Sequence, residues 1–168
     1  MANKHAVVRT DDMHGTDVRA ELLSVKFQDA EGKFAEIENG NVVKVGGLIT
    51  DTEGAVIDRE IFAATAMAGT EKIGEVALIA SVEMMYDERN KNLDEFINEA
   101  GKPCRAYRLH SGAMYSVTAE ALDKVPTVGQ AVGIAAGTKL AVGTGTAIGK
   151  VIAIEKTSRY TYYVIKID

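Results

Sequence analysis

Acid–base, nucleophilic and metal chemistry each require particular side chains at particular spacings, and this chain offers a short set of candidates. Glu36 with Glu38, and Asp94 with Glu95, are paired carboxylates. Such pairs divide acid and base roles when a pocket pushes their pKa values apart. Glu36 and Glu38 alternate with Ala35 and Ile37, however, which is the pattern of the wet face of a sheet. Ser111 and Ser116 stand outside any Gly-x-Ser-x-Gly run, so nothing presents either as an activated nucleophile. Cys104 is the only cysteine. It leaves no intrachain disulfide and no Cys-based zinc site, and its expected state is a small buried thiol.

His5, His14 and His110 show neither His-x3-His nor His-Glu-x-x-His spacing, so they build no metal-binding face. His110 belongs in an exposed turn with Ser111 and Gly112. Gly149-Lys150 runs into Val151, and Thr144 stands where a phosphate loop needs its first glycine. Asp51-Thr52-Glu53-Gly54 with Asp58 and Glu60 lacks the ligand spacing of a calcium loop and is expected to be a solvated turn. The expectation is therefore no catalytic residue, no cofactor and no metal. One cluster suits contact instead. Met84-Met85-Tyr86 closes an apolar run just before a charged stretch over 87–91. Methionine repacks readily and tyrosine brings area with a polar tip, so these three residues are a candidate protein-contact surface. The alternative is that they cap the protein's own core.

The surrounding segments are short apolar or alternating runs punctuated by Gly, Asp, Asn and Thr, which predicts a mainly β fold: a β-sandwich or barrel of short antiparallel strands. One or two short helices are expected. One covers about 92–100, where Leu93, Phe96, Ile97 and Ala100 fall at helical spacing before Gly101. The other covers 118–122, with Thr118 as its cap. Alternation on both sides of 155–159 predicts a final hairpin, with Tyr160 and Tyr162 on one face and Tyr163 on the other. Six glycines lie between Gly129 and Gly149, but Val132, Ile134, Leu140, Val142 and Ile148 anchor that segment, so short strands with tight turns are expected there rather than a linker. Residues 1–20, polar and weakly patterned, are expected to form a flexible amino-terminal arm. Residues 21–168 form a β-rich globular region, with a possible division into two subdomains near 83–92.

The 168 residues are long enough to bury a real core, and 46% hydrophobic with 26% charged residues are ordinary globular values. The net charge of -5 argues against nucleic acid as the main partner. No run approaches the ~18 apolar residues of a membrane span, and no signal peptide is evident at the amino terminus. Charge is unevenly divided. Residues 1–84 hold 8 basic and 15 acidic side chains, a net -7, and residues 85–168 hold 11 and 9, a net +2.

Four stretches carry a resemblance: Asn92-Leu93-Asp94-Glu95-Phe96-Ile97-Asn98-Glu99-Ala100-Gly101-Lys102, Arg105-Ala106-Tyr107-Arg108-Leu109-His110-Ser111-Gly112, Tyr115-Ser116-Val117-Thr118, and Arg159-Tyr160-Thr161-Tyr162-Tyr163-Val164-Ile165. Over about the carboxy-terminal half the chain resembles the head decoration proteins of tailed bacteriophages. The resemblance implies a non-enzymatic virion structural protein, assembled in the host cytoplasm, that binds the outer surface of an assembled capsid and stabilises it. Its implied partners are the major capsid protein and, as a homo-oligomer, copies of itself, a trimer among the arrangements allowed. Nucleic acid and membrane are not among them. Two alternatives stand beside it: a phage tail or head-completion structural protein, and a small-ligand or carbohydrate-binding β-barrel using Tyr160, Tyr162, Tyr163, Tyr107 or Tyr115 as stacking faces.

Overall fold

The structure, a computed structural model, describes residues 3–13, 21–85 and 92–168. Twelve strands carry the described fold: β1 (Leu22–Phe27), β2 (Val42–Leu48), β3 (Ile61–Thr65), β4 (Met67–Ala68), β5 (Val76–Ile79), β6 (Cys104–Arg108), β7 (Met114–Thr118), β8 (Ala131–Ile134), β9 (Ala136–Gly137), β10 (Ala141–Val142), β11 (Thr146–Lys156) and β12 (Thr161–Ile167). The chain is mainly β, as its alternation predicts. Strands β1-β3-β2-β5-β6 close into a barrel, and β10-β8-β11-β12-β7 form a five-stranded sheet beside it. The short β4–β9 pair joins the two halves of the sequence, with Met67 opposite Gly137. Among the described residues no helix is long and apolar enough to cross a membrane.

The strands are short and mostly antiparallel, as expected, with one parallel seam in the barrel that arithmetic explains. Five strands closing on themselves cannot alternate direction all the way round. One neighbouring pair must run parallel, and it is β1 with β3, where Val25 lies opposite Phe62.

Two cores share a wall. Leu23, Val25, Val43, Ala64, Ala77, Ile79, Cys104 and Ala106 fill the barrel. Val42, Val76 and Leu78 point the other way, into a second core with Tyr115, Val117, Ile134, Val151, Ile165 and Ile167. All four residues of β5 are consequently buried. A strand covered on both faces reads as a continuous apolar run, and Val76-Ala77-Leu78-Ile79 does. β5 and β6, which flank the 83–92 stretch, pair with each other inside one barrel.

Three local expectations are corrected. The helix over 92–100 is a single 3-10 turn, Leu93–Glu95, after which Phe96 is extended. Asn98 exchanges backbone hydrogen bonds with Ile37, at 3.0 and 3.1 Å. A segment this short is a marginal helix on its own, and that tertiary bridge overrides it. At 118–122 the turn is also 3-10, Ala119–Ala121, with no side-chain cap from Thr118. The Thr118 hydroxyl instead accepts the Val7 N–H at 3.1 Å. Val7 is where the third correction lies. The described part of the 1–20 arm is built into the fold: Ala6, Val7 and Val8 are at most 2% exposed. Val8 bridges Val117 antiparallel, the Thr118 N–H donates to the Val7 carbonyl and the Arg9 N–H to the Ser116 carbonyl, both at 3.0 Å. Residues 14–20 lie outside the described residues.

The glycine-rich stretch folds as strands with tight turns. Its glycines mark close backbone approach: a Cβ at Gly133 would sit 2.7 Å from the carbonyl oxygens of both Thr144 and Thr146, and one at Gly149 would overlap the Lys166 carbonyl. We expect Gly149→Ala to lower stability by about 2 kcal/mol or more. Gly47→Ala, with open space around it, should move it by less than about 0.5 kcal/mol. Urea midpoints measure both. The Tyr115 hydroxyl is buried and finds no hydrogen-bond partner among the described residues, and burial pushes its pKa up. Tyr115→Phe removes an unsatisfied polar group and should raise stability by about 1 kcal/mol in the same measurement.

Candidate functional site

Residues 81–85 follow β5 without regular structure, and the Met84 N–H donates to the Val82 carbonyl at 2.8 Å in a tight three-residue turn about Glu83. Ser81 and Glu83 turn inward onto Asn39. The Asn39 amide donates to the Ser81 carbonyl at 2.9 Å and to the Glu83 carboxylate at 3.2 Å, while its oxygen accepts the Ser81 N–H and the Asn98 amide, both at 3.0 Å. Asn39 is 1% exposed, so truncating it would strand several buried partners at once. Val82 and Met84 face the other way, 53% and 62% exposed.

The outward pair flanks a groove of about 180 Å³ lined also by Phe96, Ile97, Lys102 and Pro103. A Glu99–Lys102 ion pair, 2.6 Å between Nζ and Oε2, sits on its rim. The extended course of 96–98, which replaces the expected helix, is what brings Phe96 and Ile97 to this groove. Of the candidate contact residues, Met84 is exposed at the groove, Met85 is half-buried and Tyr86 lies outside the described residues. The polar floor of Asn39, Ser81 and Asn98 was not foreseen. A buried asparagine looks the same in sequence as one in a turn.

The other candidates for chemistry are committed elsewhere. Asp94 is 8% exposed and accepts the Tyr160 hydroxyl at 2.7 Å, the Lys4 N–H at 3.2 Å and the Arg159 guanidinium at 3.3 Å. Burial alone would raise its pKa, but these donors outweigh burial and hold it below the ordinary carboxylate value. Glu95 accepts the Asn92 N–H at 2.9 Å. Glu38 accepts the His5 ring nitrogen at 2.8 Å and the Ala6 N–H at 3.3 Å, and Glu36 is exposed. Cys104 opens β6 as a buried thiol, its pKa pushed up to about 12 by burial.

The tyrosine ladder has the facing its alternation predicts: Tyr160 and Tyr162 pack with Val7, and Tyr163 joins the inter-sheet core. Tyr115, Tyr160, Tyr162 and Tyr163 are all buried, so none of those rings is open for a sugar to stack on. A larger cleft of about 410 Å³ lies between Thr70–Ile73 and Thr146–Gly149. The Glu71 carboxylate beside it is consumed by its own loop, accepting the N–H groups of Ala68, Gly69 and Thr70 at 2.8, 2.9 and 3.1 Å.

Comparison of the chain with family models, with curated proteins and with solved structures finds no match.

Burial raises the Glu83 pKa above its ordinary value of 4.5, the nearby Asp11 charge adding to it against the Asn39 hydrogen bond. The folded state thus holds this proton more tightly than the unfolded state. The stability it contributes is complete below the unfolded pKa and is lost as pH rises through the folded one. Glu83→Gln keeps an acceptor for Asn39 and carries no charge. Its urea midpoint should match the parent at pH 4 and exceed it at pH 7.

Proposed function

We propose that this chain is a non-enzymatic structural protein of a tailed-bacteriophage virion, binding the outer surface of the assembled capsid and stabilising it. The observation that carries the reading is the Val82–Met84 groove: apolar side chains held outward on a floor of buried hydrogen bonds. Such a surface is already organised before binding, so little ordering entropy opposes contact. The choice of the major capsid protein as partner rests on the resemblance of the carboxy-terminal half to head decoration proteins. The groove is small, and one copy would hold weakly. Many copies on one shell convert modest individual affinities into firm attachment wherever neighbouring copies also touch.

Co-sedimentation of the purified protein with expanded capsids of its phage tests this. Binding should saturate at a copy number set by the capsid lattice. Val82→Asp with Met84→Asp should weaken it about ten-fold or more at an unchanged melting temperature, because both side chains are exposed. A parent protein that binds no capsid form would overturn the proposal and favour a tail or head-completion role.

A further inference from the structure

Beyond its barrel pairing, β2 continues into a projecting hairpin. Thr50 bridges Val56, the Ile57 N–H donates to the Ile49 carbonyl at 3.2 Å, and the Asp51 carboxylate accepts the Glu53 and Ala55 N–H groups at 2.9 and 2.8 Å to close the turn. A Lys26–Asp58 ion pair fixes the base. At the exit, Arg59 takes a left-handed φ of 56°, a conformation unusual for a side chain of this size. The hairpin exposes apolar surface: Leu48 is 38%, Val56 49% and Ile57 62% exposed. Around it stand the exposed carboxylates Asp51, Glu53 and Glu60.

A patch of opposite charge lies on the other sheet. The Gly129 N–H donates to the Val151 carbonyl at 2.7 Å, and Lys150 lies opposite Ala131, which seats the 124–128 loop against β11. Val125, Val128 and Ile152 are 67%, 57% and 36% exposed there, with the exposed Lys124 and Lys150 beside them. The neighbouring Asp123 carboxylate accepts the Val142 N–H at 2.8 Å. Among the described residues no ion pair joins Glu53 or Glu60, or Lys124 or Lys150, to any partner in the same chain.

We infer that the 48–60 hairpin of one copy docks on the Val125–Val128–Ile152 patch of a second copy. The two surfaces match in kind: each has three exposed apolar side chains, one beside Asp51, Glu53 and Glu60 with Arg59 as its exposed cation, the other beside Lys124 and Lys150 with Asp123 as its neighbouring carboxylate. Apolar contact supplies the strength, while the charges, individually weak when exposed, set the orientation and exclude like-with-like docking. The contact is head-to-tail, because the two patches differ. Repeated, it closes into a ring or grows as a chain. This inference is independent of capsid binding and is tested without capsids.

Sedimentation velocity over a concentration series at low salt reads it. The parent chain should show a mass above the 18.0 kDa monomer that rises with concentration and falls as salt is added. Glu53→Lys with Glu60→Lys, and separately Lys124→Glu with Lys150→Glu, should each weaken association at least about ten-fold. An equimolar mixture of the two variants should restore it, since each then offers the other a complementary surface. That restoration also shows that both variants fold. A parent chain that stays at the monomer mass throughout, a variant that associates like the parent, or a mixture no better than its components would each overturn the inference.

Discussion

Everything in this fold leans on β5. Four consecutive apolar residues serve two cores at once, Ala77 and Ile79 for the barrel interior and Val76 and Leu78 for the space between barrel and sheet. Both faces are therefore closed to water, and any polar or oversized replacement would be felt in two places. Strand β2 shares the duty at its start through Val42 and Val43. The groove follows from the same strand, because residues 81–85 are its continuation after the wall has ended. Past the wall there is no second core to cover, and Val82 and Met84 face solvent.

What could be read in advance was whatever depends on neighbours in sequence. Alternation placed Tyr162 and Tyr163 on opposite faces, glycines bounded turns, and the 129–149 segment kept enough apolar anchors to be strands. What could not be read depends on partners far along the chain. Leu93, Phe96, Ile97 and Ala100 have helical spacing, but spacing carries no information that Ile37 will claim the backbone of Asn98. Residues 1–20 look polar on average, yet Ala6, Val7 and Val8 are three small apolar residues that complete an edge and a core. The same limit hid the polar floor of the groove. Asn39, Ser81 and Asn98 are 42 and 59 residues apart as they hydrogen-bond, and each alone resembles an ordinary loop residue.

The distribution of charge gains a structural reading. The acidic surplus of the first half includes the turn of the projecting hairpin, and the slight basic surplus of the second includes exposed lysines on and beside β11. Neither surface belongs to the cores, which are apolar, and the buried carboxylates Glu71 and Asp94 find their partners elsewhere, Glu71 in its own loop and Asp94 in Tyr160, Lys4 and Arg159. The molecule thus keeps apolar packing inside and carries its unpaired charges, with some exposed apolar side chains, outside.

Strand β12 lies between β11 and β7, and this placement bears on the order of synthesis. Val8 must wait for Val117 before its edge is covered, and β7 in turn must wait for β12 before it joins the larger sheet. β12 is thus a keystone of the sheet rather than one of its edges. Without β12, β7 has no strand joining it to β11, β8 and β10, and the sheet that covers Val76 and Leu78 falls into two pieces. Pairings between residues distant in sequence slow folding, and the one between β7 and β12 joins Met114–Thr118 to a strand more than forty residues further on.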